Sequence, residues 1–202
     1  IKTNGQAENN TITLKDSTLN VPNGYGIFFP SSGTLTIDNS KINALTMGVQ
    51  VCAGSLSINE GSAITVKGDG KQKTENDGAI EDGAAISIVN RDGYKGLGDI
   101  TITGGTFKSN GNNAAVKAYD WNNTDKTEAD FTANKNVSIS GGWFSTKVPE
   151  GLCADGYEPT GKFTTVDGLY TVDKTNKEAS YIDTNGILHY GELKELLNVT
   201  ES

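Results

Sequence analysis

The sequence predicts an all-β fold, a right-handed parallel β-helix (solenoid) of about five coils with a C-terminal hairpin cap, and three observations carry that expectation. A short string recurs every 21 to 23 residues wherever no insertion interrupts it. A second string recurs between consecutive copies of the first. The chain is also strewn with Thr, Ser and Asn and holds 25 Gly in 202 residues, a composition of many short strands and turns.

The first string is "TITLKDSTL" (11–19), "TLTIDNSKI" (34–42), "SLSINEGSAI" (55–64), "DITITGGTF" (99–107) and "NVSISGGWF" (136–144). Alternation puts two aliphatic residues of each copy on one face: Ile12 and Leu14, Leu35 and Ile37, Leu56 and Ile58, Ile100 and Ile102, Val137 and Ile139. Between them lies a hydroxyl facing the other way, at Thr13, Thr36, Ser57, Thr101 and Ser138. A turn of Asp-Ser, Asn-Ser, Glu-Gly-Ser or Gly-Gly comes next, then one more apolar residue: Leu19, Ile42, Ile64, Phe107 or Phe144.

The second string is "GYGIFFP" (24–30), "TMGVQVC" (46–52), "GAAISIV" (83–89) and "NAAVKAY" (113–119). Leu14 to Ile37 spans 23 residues and Ile37 to Ile58 spans 21, whereas Ile58 to Ile102 spans 44. Only one second string lies in that long interval, so it is a single coil with insertions at 67–83 and 90–98; the next coil carries another at 119–135. Repeats of this length, holding two or three strands, stack at about 4.8 Å per coil, with aliphatic ladders inside and hydroxyl columns outside. Leucine-rich horseshoes have a similar period but need an L-x-x-L-x-L frame that is absent here.

Coils are expected over residues 1–145, a cap hairpin over 146–175 with strands either side of Val166-Asp167-Gly168, and a tail over 176–202. A stack needs its open ends covered, because unpaired strand edges invite aggregation. Trp143 stands on the last coil where the preceding copy has Thr106, and the cap segment is expected to cover it.

The segment "ISGGWFSTKVPEGLCADGYEPT" followed by "DGLYTV" resembles the coil-ending pattern of large uncharacterised secreted, adhesin-like surface proteins of gut bacteria. The resemblance is close over 139–172 and only stylistic upstream. It implies an extracellular location, secreted or on the bacterial cell surface, in a parent of many modules, with the tail as the start of a further module carrying a short amphipathic helix near 190–197. It implies no ligand and no activity. That the chain starts at Ile1 with neither Met nor leader fits an excised or mature segment of something longer.

Composition excludes several function classes. A formal net charge of −8 and a pI near 4.7 argue against nucleic acid or an anionic membrane as partner. No apolar run approaches the roughly 20 residues of a spanning helix. Cys52 and Cys153 belong to different levels of the predicted stack, so both thiols are expected free.

The function expected is therefore a non-enzymatic surface module for spacing or adhesion, with no cofactor required. The alternative is a carbohydrate-active enzyme, a polysaccharide lyase or hydrolase, or an inactive remnant of one. No catalytic residue is assigned: Arg91 with Asp92 reads as a solvated loop pair, and His189 has no partner near it in sequence. The insertion "KGDGKQKTENDGAIEDG" offers Asp69, Asp77 and Asp82 as weak calcium ligands, but at no recognised calcium-loop spacing and diluted by Lys71 and Lys73. The Thr-x-Thr pairs of the first coils decay along the stack, which speaks against ice binding.

One binding surface is predicted. The insertions 90–98 and 119–135 leave consecutive coils at the same corner, and together hold Tyr94, Tyr119 and Trp121 interleaved with Asp92, Asp120, Asn122 and Asn123. Aromatic faces flanked by polar side chains suit a glycan, so the partner expected is a glycan or a ligand on a host or cell surface.

Overall fold

The computed structural model describes residues 1–70, 78–121, 136–160, 168–175, 179–182 and 188–191, the last two segments as backbone. The described residues are almost entirely strand and turn, with a 3₁₀ turn at Glu150–Leu152. Three sheets are visited in the same order on each pass of the chain. The first sheet holds β1 (Asn10–Lys15), β4 (Gly33–Asp38), β7 (Gly54–Ile58), β10 (Leu97–Ile102) and β13 (Val137–Ile139). The second holds β2 (Thr18–Val21), β5 (Lys41–Ala44), β8 (Ala63–Val66), β11 (Thr106–Lys108) and β14 (Trp143–Phe144). The third holds β3 (Ile27–Phe29), β6 (Val49–Val51), β9 (Ile86–Asn90) and β12 (Val116–Asp120). Every pairing among these strands is parallel.

The register matches the repeat residue by residue. Leu14, Ile37, Ile58, Ile102 and Ile139 form one ladder, and Leu19, Ile42, Ile64, Phe107 and Phe144 another. Their side chains, with Ile27, Val49, Ile86 and Val116 of the third sheet, belong to one apolar core. Phe107 and Phe144 stack within it, ring centroids 5.0 Å apart and planes 25° from parallel. Because a one-residue slip would turn every aliphatic side chain outward, this pattern admits a single register.

The two ends differ. At the first level Ile12, Leu14 and Leu19 are only half-buried, and residues 1–3 cover β3 alone, through a parallel bridge from Lys2 to Phe28. At the other end β16 (Tyr170–Lys174) runs antiparallel to β14, and β15 (Tyr157–Pro159) antiparallel to β16. Val148, Leu152 and Val172 join the core there. The strand expected just before Val166 lies outside the described residues; β16 itself lies between β14 and β15.

Trp143 stays half-buried on the outer side of β14, paired with Thr171, while Phe144 turns inward. β17 (Ala179–Ile182) and β18 (Leu188–Gly191) pair antiparallel. Tyr190 and Gly191, placed at the start of a helix by the sequence, are extended in β18; the rest of that segment lies outside the described residues. No helix among the described residues is long and apolar enough to cross a membrane. Cys52 and Cys153 are both free thiols.

Candidate functional site

The third sheet is buried on both faces. Its inner face meets the core; its outer face carries the ladder Phe28, Gln50, Ser87, Lys117, and residues 78–83 lie against it. Phe28, Cys52, Ala79, Ile80, Val89 and Tyr119 form a second apolar cluster there, with Tyr25, Tyr94 and Trp121 packed on its margin. An apolar patch alone would not fix a loop in one place, and polar anchors do so. The buried Gln50 amide donates to the Ile80 carbonyl at 3.0 Å and accepts from the Ile80 N–H at 2.9 Å, adding a strand-like pair across the sheet face.

Asp82 is the second anchor. Its carboxylate is buried and accepts from the Ser87 hydroxyl at 2.7 and 2.8 Å, the Ala84 N–H at 3.1 Å and the Tyr119 hydroxyl at 3.1 Å. Lys117 Nζ donates to the Asp82 backbone carbonyl at 3.1 Å. A buried carboxylate is tolerated where several donors replace its water. Burial, and then the Asp82 charge, raise the Tyr119 hydroxyl well above the ordinary phenol range, so it stays protonated as a donor. Burial likewise pushes the Cys52 thiol up to about 12, which makes it inert packing rather than a nucleophile.

Arg91 closes the margin. Its guanidinium carbon stands 5.6 Å from the Tyr94 ring centroid and 5.3 Å from that of Trp121, and Nη1 donates to the Gly78 carbonyl at 2.7 Å. One cation thus binds three segments: the loop after β9, the loop after β12 and the covering loop at Gly78. Such contacts contribute about 0.5–1 kcal/mol each at exposed sites and more when desolvated. Beside this cluster Tyr94 also forms one wall of a cleft of about 420 Å³ with Lys2, Thr3, Asn4, Gly5 and Pro30.

The residues expected to gather here divide. Tyr94 and Trp121 are brought to one guanidinium from consecutive levels. Tyr119, expected on the binding face, is buried with its hydroxyl on Asp82, because its ladder position on β12 points it under the covering loop. Asp92 is exposed at the loop tip, and Asp120 accepts from Asn90 Nδ2 at 3.2 Å. Asn122 and Asn123 lie outside the described residues.

Arg91, expected only as half of a solvated pair with Asp92, also serves as the joint of the cluster. The available signal was the chain's single arginine lying in an insertion with a neighbouring tyrosine. Gln50 had no signal beyond an amide inside an apolar run.

Of the calcium ligands considered, Asp82 is surrounded by donors rather than other carboxylates, and exposed Asp69 accepts from Asn110 and Asn113 amides at 2.9 and 3.4 Å. Asp77 lies outside the described residues. Among the described residues no three His, Cys, Asp or Glu side chains gather as a metal site.

No family model, curated protein or solved structure matches this chain.

Proposed function

We propose that the chain is a non-enzymatic extracellular module, a right-handed parallel β-helix that serves as a rigid spacer and holds carbohydrate at the Tyr94–Arg91–Trp121 cluster and its adjoining cleft. The passage of the chain through three parallel sheets in constant order supports the helical reading, since parallel crossovers are right-handed in nearly all proteins. The single observation that carries the binding reading is the convergence of Tyr94 and Trp121 on Arg91 from loops of successive repeats. A cleft of about 420 Å³ is within the range of small-ligand sites, and Lys2 in its wall suits hydroxyls or a carboxylate of a sugar. The adhesin-like resemblance of residues 139–172 adds the bacterial cell surface or the secreted medium as location, and neighbouring modules of one parent chain as partners.

The reading favours binding over turnover because the buried Asp82 and the lone arginine, Arg91, are spent on holding loops. The test is a glycan array, then titration of any hit with Trp121→Ala and Tyr94→Ala, with product release from the same polysaccharides assayed in parallel. At least about tenfold weaker binding in both variants, with cooperative melting retained, is expected. Unchanged binding in both, or no glycan bound by the parent, would sink the binding reading; steady product release would replace it with the enzyme.

A further inference from the structure

At the corner between the first and second sheets, the register Thr18, Lys41, Ala63, Thr106, Trp143 aligns five turns. The residue pair before each of these is Asp16-Ser17, Asn39-Ser40, Gly61-Ser62, Gly104-Gly105 and Gly141-Gly142. Side chains are lost one position at a time along the stack. At the first two levels they fill the corner: Asn39 Nδ2 donates to Asp16 Oδ1 at 2.8 Å, and the Ser40 hydroxyl accepts from the Ser17 N–H at 3.0 Å. At the third only Ser62 remains, its hydroxyl donating to the Ile37 carbonyl at 3.2 Å. At the last two nothing projects from the glycine pairs, and a trough of about 550 Å³ opens along levels three to five, ending at β16.

The double glycines have a backbone explanation, since Gly105 and Gly142 both have φ of +110°. Trp143 has none. The residues before it in its ladder are Thr18, Lys41, Ala63 and Thr106, the core takes Phe144 instead, and the half-buried indole lines the trough. Thr106 and Thr171 add hydroxyls to the walls, and Glu60 and Asp173 add carboxylates. Among the described residues no Lys, Arg or His lines it.

A flat aromatic surface among hydroxyls and acceptors, with no cation to balance an acid, fits the C–H face and hydroxyl rim of an uncharged pyranose. We propose that this trough is a second binding site, for a neutral oligosaccharide lying along the stack with one ring against Trp143. It is independent of the Tyr94–Arg91–Trp121 cluster.

The chain has only two tryptophans, Trp121 and Trp143, so fluorescence can separate the two sites. Trp121→Phe leaves Trp143 as the sole indole; Trp143→Thr restores the residue of the preceding repeat and should keep the fold, which a melting curve checks. Cellohexaose, mannohexaose and chitohexaose are titrated into both variants and the parent, with trigalacturonate as the acidic control. Expected is a saturable change in Trp143 emission in Trp121→Phe with at least one neutral hexasaccharide and none with trigalacturonate, and, by calorimetry, an affinity about tenfold or more lower in a folded Trp121→Phe, Trp143→Thr double variant than in Trp121→Phe. Absence of any response to the three neutral probes in Trp121→Phe overturns the proposal. So does undiminished binding by the folded double variant, which would leave the Tyr94–Arg91–Trp121 reading standing alone.

Discussion

The Tyr119 hydroxyl donates to the buried Asp82 carboxylate at 3.1 Å, tying β12 to the loop that covers the third sheet. Four donor contacts from three residues meet on that one side chain. Asp82→Ala should therefore strand buried donors and cost on the order of 3–5 kcal/mol, while Tyr119→Phe, losing one hydrogen bond to a charged group, should cost about 1.5–3 kcal/mol. Urea unfolding of the two variants checks the order; equal losses would mean that Asp82 matters only through Tyr119.

The same burial makes stability fall in alkali. Cys52 is raised to about 12 from 9.0 by burial, and Tyr119 is raised in the same direction, by burial first and Asp82 second. Folded, both groups keep their protons over a range in which the unfolded chain has released them. Their stabilising contribution is complete below about pH 9 and lost progressively as pH rises through the folded values. The double variant Cys52→Ala, Tyr119→Phe should show a flatter decline of urea midpoint between pH 9 and about 11 than the parent. An identical slope would refute the assignment.

Thiol reagents offer a separate check. Cys153 is half-buried and held up to about 11 by burial and by Glu150 and Glu158, whereas Cys52 is fully buried. In native buffer Cys153 should label slowly and Cys52 only at the rate of unfolding; a mass shift of one label before unfolding, located on Cys153, is the expected result.

In the core, Ile58→Asp or Ile102→Asp should abolish folding, since either places an unpaired carboxylate in a fully buried ladder. Phe107→Ala should cost about 3–5 kcal/mol, because it removes one ring of the stacked pair with Phe144 and leaves a cavity between levels. Circular dichroism melts suffice to check both. A variant at Ile58 or Ile102 that melts like the parent would mean that the ladder assignment is wrong.

Gly33 is a test of backbone rather than packing. It sits at φ of +117°, and an added Cβ would strike the Asn10 backbone of the adjacent strand. Gly33→Ala should lower the melting temperature, whereas Gly93→Ala, also at positive φ but facing open space, should cost only the smaller conformational penalty. Equal losses would show that the close approach at Gly33 relaxes without cost.

The ladders were legible because alternation and period are local properties. Ile37 and Ile58 are 21 residues apart in sequence and directly paired in space. The cluster was half legible for the same reason. That the loops carrying Tyr94 and Trp121 meet is a consequence of where they leave their repeats; that Tyr119 turns under the covering loop depends on residues 78–83, whose position no periodicity describes.

Sequence by itself determined the repeating strands, their register and the choice of inward residues, since these need only a repeating pattern of apolar side chains and one stacking distance. Tertiary structure alone decided what the irregular residues do: Gln50 and Asp82 fasten a loop, Arg91 joins two aromatic rings, and Trp143 lines a trough rather than entering the core. Hydrogen bonds and ring contacts of this kind depend on direction and distance to within about half an ångström. Their partners come from insertions that obey no repeat, so only the folded chain brings them together.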